Sequence, residues 1–417
     1  MDAGVALGAL PHPAAGSRRW SDSIVAFARS EAMAVFLWSR AAIWFGALLA
    51  FFVIRPSAGP SALRVDVPRL TRDIGSITDI WARWDSIHYL QIAEHGYGGA
   101  TGSSAFYPLY PWVVGAFGRV LGGHFVLAGV LVSLVATLVA FALFHRLAVA
   151  KLGAATASRA LLYLAIFPMA LFFQAIYAES LFLCFALAVF IFAEREQWAV
   201  TGLVAGLALL SRPTGFALIP PLALMAWRAR GQGRALLGLL IAPLIFLAFP
   251  LVLRFQLNDP WAFAQAENSW HRELSLTGPL EGIWRGLHAG WAGVLQLTVG
   301  SAHHFYWTPV DPARAAVLNL EYLAYTALFV ALAVVAWREL GAPYGLFAAC
   351  SLAIPLSAPS DAYPLLSMPR LGLTIFPLFL ALAVLGRRPR LHTGIVVTSA
   401  VLLGVATAEW ATWQWVS

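Results

Sequence analysis

The chain has 417 residues, of which 60% are apolar and only 11% are charged, and its mean hydropathy is +0.75. Soluble globular proteins are about one quarter charged, so this composition excludes a soluble enzyme, a disordered chain and a coiled coil. Because long apolar runs recur to the end of the chain, the sequence predicts an all-α polytopic membrane protein.

The formal net charge of +7 does not indicate nucleic-acid binding. In membrane proteins basic residues collect on cytoplasmic loops and set the topology. Lys151 is the only lysine, so nearly all of the positive charge is arginine. A composition rich in arginine, alanine and glycine is typical of bacteria with GC-rich genomes, and we expect the protein in a bacterial plasma membrane.

In chain order, residues 1–31 form a cytoplasmic tail that precedes the first apolar run. Eleven apolar runs follow, at about 32–54, 123–145, 158–174, 178–193, 199–211, 214–227, 235–253, 319–337, 342–356, 371–386 and 391–409. The sequence therefore predicts a bundle of about eleven transmembrane helices within a single domain, 1–417.

The distribution of arginine predicts the orientation of these spans. Alternate turns are short and basic, whereas the turns on the other side, which include the two long loops, 55–122 and 254–318, together contain most of the acidic residues. The positive-inside rule then places the N-terminus in the cytoplasm and both long loops outside. We expect these loops to carry short helices that fold onto the membrane surface, and 106–120 to form a re-entrant or interfacial helix.

The densest group of reactive side chains lies in the first long loop, in residues 81–97. Trp84, His88 and Gln91 recur there at helical spacing. Asp85 shares a face with His88, and Glu94 lies on another side. An amphipathic interfacial helix that ends at Gly96 accounts for the pattern. A functional alternative is that a carboxylate accepts a proton from a sugar hydroxyl while an indole ring stacks on the sugar.

Two further segments place polar groups next to apolar runs. The segment 105–111 alternates aromatic residues with prolines around Tyr107, as expected of an interfacial aromatic belt or of a pocket wall. Glu179 stands at the start of an apolar run, where an ionisable residue indicates a functional site. The alternative for Glu179 is a carboxylate that the dipole of its helix stabilises.

Arg212 interrupts two apolar runs of about thirteen residues, each too short to cross a ~30 Å hydrocarbon core. The side chain should therefore lie below the membrane surface, in a cavity. A buried guanidinium group beside a helix-breaking proline suits a phosphate ligand. The alternative is a structural ion pair with Glu179.

The remaining candidates lie in the outer loops. Arg370 directly precedes a span, as either a snorkelling anchor or a second phosphate contact. His303 and His304 are adjacent, so their side chains diverge and form a poor metal pair. The chain has no Asp-x-Asp pair, no phosphate-binding glycine loop and no Cys/His metal spacing, and we expect no cofactor.

These segments together resemble the PIG-V-like mannosyltransferases, a family that includes a GPI mannosyltransferase of eukaryotes. The most specific part of the resemblance is Trp84-Asp-Ser-Ile-His-Tyr-Leu-Gln-Ile-Ala-Glu-His-Gly-Tyr97, followed by Phe106-Tyr-Pro-Leu-Tyr-Pro111. Shorter matches continue in order along the chain, at Tyr177–Ser180, Ser211–Gly215, Asp259–Phe263, Trp270–Arg272, Met368–Arg370 and Phe376–Pro377.

The resemblance implies a GT-C glycosyltransferase that takes mannose from a polyprenyl-phosphate donor outside the cytoplasm and inverts the anomeric centre to form an α-mannoside. It implies a lipid-linked or glycan acceptor, and the acceptor of the eukaryotic enzymes, a GPI precursor, does not carry over to a bacterium. Asp85 and Glu94 are then the candidate catalytic acids, and no step requires a metal, although these two carboxylates are able to hold one. The candidate donor-phosphate ligands are Arg212, Arg370 and Arg272, and the candidate substrate-binding residues are Trp84, His88, Tyr107, Tyr177, Glu179 and His271.

Three alternatives remain open from the sequence. A transporter or flippase of a lipid-linked saccharide predicts ionisable groups near the bilayer midplane and related halves of the chain, whereas here those groups gather at one face. A GT-C enzyme that uses another lipid-phosphate sugar or a protein acceptor has the same sequence features. A non-catalytic membrane subunit leaves the acidic first loop without a role.

Overall fold

The computed structural model describes residues 30–54, 75–98, 102–266, 272–299, 311–361 and 363–416. These residues are almost entirely helical and include no β-strand, in agreement with the predicted all-α membrane fold. The helices are α1 Glu31–Val53, α2 Ser76–Asp79, α3 Ser86–His95, α4 Leu109–Val120, α5 Phe125–Leu152, α6 Ala154–Ala165, α7 Glu179–Ala193, α8 Trp198–Ser211, α9 Ile219–Arg228, α10 Gln232–Leu239, α11 Ile241–Phe246, α12 Ala248–Leu257, α13 Ala262–Gln265, α14 Pro279–Val299, α15 Pro312–Leu340, α16 Ala342–Leu356, α17 Met368–Gly372, α18 Phe376–Leu385 and α19 Pro389–Ala411.

Every predicted span is helical, but the spans differ in length. Five helical segments of the described chain are long and apolar enough to cross a membrane alone, namely α1, α5, the nearly continuous α10–α12, α15 and α19. The other predicted spans are shorter helices of 10–15 residues. The run 158–174 breaks after Ala165, where Pro168 lacks the N–H group that a continued helix needs.

Two of the shorter helices, α7 and α18, occupy the centre of the bundle. Helices α7 and α18 are apolar on all sides and almost wholly buried, as expected of helices that contact other helices rather than lipid. Helix α7 packs between α5 and α8, and α18 packs against α6 and α15. With 15 residues α7 is only about 22 Å long, so its first residue, Glu179, lies inside the protein.

The basic turns meet at one end of this bundle. Lys151 forms a 2.5 Å ion pair with Glu194, just after α7, and the Tyr344 hydroxyl donates to the same carboxylate at 2.6 Å. At this end Arg387 also donates to the Thr156 hydroxyl at 3.3 Å. The start of α7, at Glu179, therefore lies at the opposite end from the basic turns.

The second long loop carries a longer helix than its sequence predicts. Helix α14 has 21 residues and packs along the first half of α15. Glycines 282, 286, 290 and 293 form its contact face, and a Cβ atom at Gly282 would lie 2.3 Å from the Leu356 carbonyl oxygen. This glycine spacing holds α14 close to the bundle, and Trp284 and Trp291 remain exposed on its other face.

Candidate active site

Four charged side chains from distant parts of the sequence meet at the end of the bundle opposite the basic turns. The carboxylate Oδ2 of Asp85 lies 2.7 Å from Nη1 of Arg370. Oε1 of Glu179 lies 2.5 Å from Nη1 of Arg212 and 3.6 Å from Nε of Arg370. These four residues, here called the charge cluster, carry two negative and two positive charges, so the formal charges of the cluster sum to zero.

Asp85 is presented by an unusual turn before α3. It occupies the N-cap position, but its carboxylate makes no capping hydrogen bond and instead contacts Arg370. The preceding Trp84 has φ 53°, a left-handed conformation that is strained for a bulky side chain. The Tyr177 hydroxyl joins the residues on either side of Trp84. It accepts a hydrogen bond from the Asp85 N–H at 3.1 Å and donates one to the Arg83 carbonyl at 3.3 Å.

We expect Tyr177→Phe to lower the stability of the protein by about 1–3 kcal/mol, since the substitution leaves the Asp85 N–H without this acceptor. Thermal unfolding of the purified protein in detergent measures the effect. Tyr163→Phe is the matched control, because its hydroxyl contacts His392 at the other end of the bundle. Equal stability of Tyr177→Phe and the unaltered protein would show that the hydroxyl does not hold the turn.

Glu179 and Arg212 are brought together by the ends of two adjacent helices. Glu179 is the first residue of α7 and is 1% exposed, and the positive end of the helix dipole favours its carboxylate. Arg212 follows α8 in an extended conformation, which the proline after it favours. The turn then closes back onto α8 at Gly215, where a Cβ atom would lie 2.7 Å from the Ala208 carbonyl oxygen.

Arg370 is held by a short helix that packs tightly on α15. Helix α17 begins after Ser367, which has φ 63°, and ends at Gly372. A Cβ atom at Gly372 would lie 2.1 Å from the Phe329 ring, so only glycine permits this approach. The Arg370 guanidinium group also lies over the rings of Phe172 and Tyr177, at 5.5 and 5.4 Å from their centroids.

An aromatic wall borders the charge cluster at Trp84. Its ring makes edge contacts with Trp413 and Trp415, whose centroids lie 5.8 and 5.2 Å away. Trp415 donates from Nε1 to the Tyr322 hydroxyl at 3.1 Å, and the guanidinium group of the buried Arg83 lies 4.4 Å from the Trp413 ring. Indole rings in this position provide flat apolar surfaces beside charged groups.

His88 lies one helical turn after Asp85 and stacks on Phe106, with ring centroids 4.6 Å apart. Burial lowers the pKa of His88, and the nearby Asp85 carboxylate opposes that shift. Helix α3 belongs to the first long loop, outside every predicted span, and this imidazole lies beside the cluster. It is neutral at pH 7 and suited to hydrogen bonding.

The lowered pKa of His88 predicts a pH dependence of stability. As the pH falls below about 6.5, protons bind the unfolded state more readily than the folded state, so stability decreases. We expect the unaltered protein to lose more thermal stability between pH 7 and pH 5 than His88→Gln. His95→Gln, at an exposed position of the same helix, should behave like the unaltered protein, and identical pH profiles for all three would contradict the prediction.

Four of the other candidate residues lie away from the charge cluster or outside the described residues. Glu94 is exposed at the far end of α3, about 13 Å along the helix from Asp85. Arg272 donates to the Leu366 carbonyl at 2.7 Å and so supports the turn before Arg370. Tyr107 is buried and packs on Phe249. His271 lies outside the described residues.

Sequence reasoning missed Tyr89 and the tryptophans near the C-terminus. Tyr89 follows Asp85 by four residues, which places both on one face of the helical turn. Burial raises the pKa of its phenol, Glu179 and Asp85 raise it further, and Arg212 and Arg370 lower it, so the group lies within the field of the whole charge cluster. Its spacing from Asp85 could have identified Tyr89, whereas Trp413 and Trp415 carry no local signal.

This arrangement joins two chemical capacities at one place. The Asp85 carboxylate is partly exposed and able to accept a proton, and the adjacent guanidinium groups are able to bind a phosphate by charge-assisted hydrogen bonds. Aromatic surfaces suited to sugar faces border both groups. The geometry therefore suits transfer of a group from a phosphate leaving group to a hydroxyl acceptor.

Comparison with known proteins agrees with this interpretation. Residues 64–222 match the family described as Mannosyltransferase (PIG-V). The matched segment includes Asp85, Glu179 and Arg212, whereas Arg370 lies beyond it. A comparison with curated proteins finds no match. Through residues 64–222, which supply three of the four members of the charge cluster, the chain is similar to the family described as Mannosyltransferase (PIG-V).

Proposed function

We propose that the protein transfers mannose from a polyprenyl-phosphate mannose to a hydroxyl group of a lipid-linked or glycan acceptor, outside the cytoplasm, with inversion of the anomeric centre. The family match supports mannosyl transfer in general. The observation that carries the finer proposal is the contact between Asp85 and Arg370, which joins a candidate base to a candidate phosphate ligand across 285 positions of sequence.

In this mechanism the hydroxyl oxygen of the acceptor attacks C1 of mannose, and the Asp85 carboxylate accepts the proton of that hydroxyl group. The bond between C1 and the phosphate oxygen, on the opposite face of the sugar ring, breaks at the same time. Its electron pair leaves with the polyprenyl phosphate. Arg370 and Arg212 stabilise the negative charge that develops on this phosphate. The two guanidinium groups supply the positive charge of the site, so the proposal invokes no cofactor.

The lipid part of the donor needs an apolar surface that is open to the bilayer. A cavity of about 340 Å³ lies between α15 and α16 and is lined by Pro279 and apolar side chains, among them Val334, Leu352 and Leu356. We propose that a polyprenyl chain lies in this groove. Its lining is almost wholly apolar, as required for an isoprenoid chain.

The difference in charge between the two ends of the bundle supports the proposed extracytoplasmic position. Lys151 and Arg387 lie at the end opposite the charge cluster, and basic turns face the cytoplasm in membrane proteins. A polyprenyl-phosphate donor provides mannose on the other side, without a soluble nucleotide. A bacterial plasma membrane is the compartment that we propose.

If Arg212 binds the donor phosphate, Arg212→Ala should weaken donor binding by about tenfold or more, because one charge-assisted contact is lost. The dissociation constant of polyprenyl-phosphate mannose measures this effect directly. Arg159→Ala is the control, since Arg159 lies in α6, outside the charge cluster. Unchanged donor affinity in Arg212→Ala would leave Arg212 with only its ion pair to Glu179.

The test of the proposed function is transfer of labelled mannose from polyprenyl-phosphate mannose by the purified protein, supplied with a lipid extract of its host. A labelled product identifies the reaction and provides the acceptor for analysis. Absence of transfer from every lipid-phosphate sugar, with folded protein, would contradict the proposal. Movement of a lipid-linked sugar across vesicles without transfer would support a flippase instead.

A further inference from the structure

One oxygen of the candidate base, Oδ2 of Asp85, already accepts a hydrogen bond in this structure. Within the described residues, the Asp85 carboxylate has one hydrogen-bonding partner, Nη1 of Arg370 at 2.7 Å. This hydrogen bond engages Oδ2, one of the two carboxylate oxygens that could otherwise accept the proton of the acceptor hydroxyl. In the reaction proposed above, the donor phosphate binds Arg370 while Asp85 contacts the acceptor hydroxyl, so the phosphate and the carboxylate compete for the same guanidinium group.

The two partners are not held equally firmly. Arg370 is fixed on its other sides by Glu179, at 3.6 Å from its Nε atom, and by the rings of Phe172 and Tyr177. Among the residues that the structure describes, none gives the Asp85 carboxylate a comparable second contact, and this side chain is slightly more exposed, at 22% against 16% for Arg370. When the pair separates, the guanidinium group therefore stays in place and the carboxylate turns away.

We infer that Arg370 restrains Asp85 until the anionic phosphate of the donor replaces the carboxylate on Nη1, so that donor binding releases the base. The exchange substitutes one charge-assisted hydrogen bond for another at the same guanidinium group, and Glu179 keeps that group in position throughout. The inference rests on the proposed function, since it requires a phosphate donor. It makes Arg370 a positioning residue for the base as well as a phosphate ligand.

The exchange has a consequence that a purely structural ion pair does not share. Because Asp85 and the donor phosphate compete for Arg370, removal of the carboxylate charge should strengthen donor binding. Asp85→Asn retains the shape of the side chain and removes the competing charge. Asp85→Glu retains the charge and serves as the matched comparison.

The experiment measures the dissociation constant of a short-chain polyprenyl-phosphate mannose for the purified full-length protein in detergent. We expect Asp85→Asn to bind the donor at least about fivefold more tightly than the unaltered protein, a difference of about 1 kcal/mol. Asp85→Glu should not bind more tightly. Asp361→Asn, which opens a more exposed pair with Arg285 at 2.9 Å, should leave the affinity unchanged.

Equal or weaker donor binding by folded Asp85→Asn would overturn the inference and show a static ion pair. If this variant does not fold, Asp85→Ser tests the same competition with a smaller neutral side chain. Failure of the unaltered protein to bind any lipid-phosphate mannose is a different outcome, because it contradicts the proposed function itself.

Discussion

Asp85→Asn is expected to reduce the turnover of mannosyl transfer by at least about 1000-fold, because an amide cannot accept the proton of the acceptor hydroxyl. The substitution leaves the size of the side chain unchanged and keeps the Asp85 N–H that contacts the Tyr177 hydroxyl. We therefore expect the loss to appear in kcat while the donor still binds. Initial rates with saturating polyprenyl-phosphate mannose measure this effect.

The appropriate control is Asp361→Asn, which makes the same chemical change in an exposed ion pair of the outer turn. Its turnover should match that of the unaltered protein. If Asp85→Asn retained more than about one tenth of normal turnover, Asp85 would not be the base. Tyr89 would then be the next residue to test, since it lies within the field of the same cluster.

The sequence predicted the architecture well because the membrane imposes a simple constraint. Each apolar run had to become a helix, since only helices satisfy their own backbone hydrogen bonds in lipid. Hydropathy did not reveal that the run at 158–174 breaks after Ala165. Arg40 of α1 compensates for that break by donating to the carbonyls of Ala165 and Ala170, a contact across more than 120 positions.

The candidate site was predictable in part, for a related reason. Three of its members, Glu179, Arg212 and Arg370, are polar residues at the ends of apolar runs and were identifiable from that position. Asp85 was identifiable from the dense group of polar side chains in the first long loop. Their partners were not fixed by local pattern. The pair of Glu179 and Arg212 was one of two alternatives for Arg212, and the contact between Asp85 and Arg370 depends on how α17 packs on α15.

Residues on the aromatic wall show the limit of local reasoning. Trp413 and Trp415 contact Trp84 from the other end of the chain because α19 packs beside α1. No periodicity near Trp84 indicates this approach. By contrast, Tyr107 follows the expected aromatic pattern and is buried among phenylalanines, which shows that an aromatic motif alone does not separate a pocket wall from packing.

Arg370→Ala is expected to lower kcat/KM for the donor by about 100- to 1000-fold and to destabilise the protein. The substitution removes a phosphate ligand, worth about 100- to 1000-fold in comparable sites. It also leaves two carboxylates, Asp85 and Glu179, near each other without the guanidinium group that lies between them. Glu179, which is 1% exposed, keeps its ion pair with Arg212, whereas Asp85 loses the guanidinium group that it contacts, and loss of a charge partner in a buried site is destabilising.

Arg370→Lys separates the contribution of charge from that of shape. A lysine retains the positive charge but lacks the planar fork that allows one guanidinium group to contact both carboxylates, so we expect partial recovery of stability and little recovery of transfer. Arg285→Ala provides the control, because its ion pair with Asp361 is more exposed. Measurement of thermal unfolding and of kcat/KM on the same preparations distinguishes the two effects. If Arg370→Ala were stable but retained normal kcat/KM, the guanidinium group would have no part in holding the donor, and Arg212 alone would have to stabilise the departing phosphate.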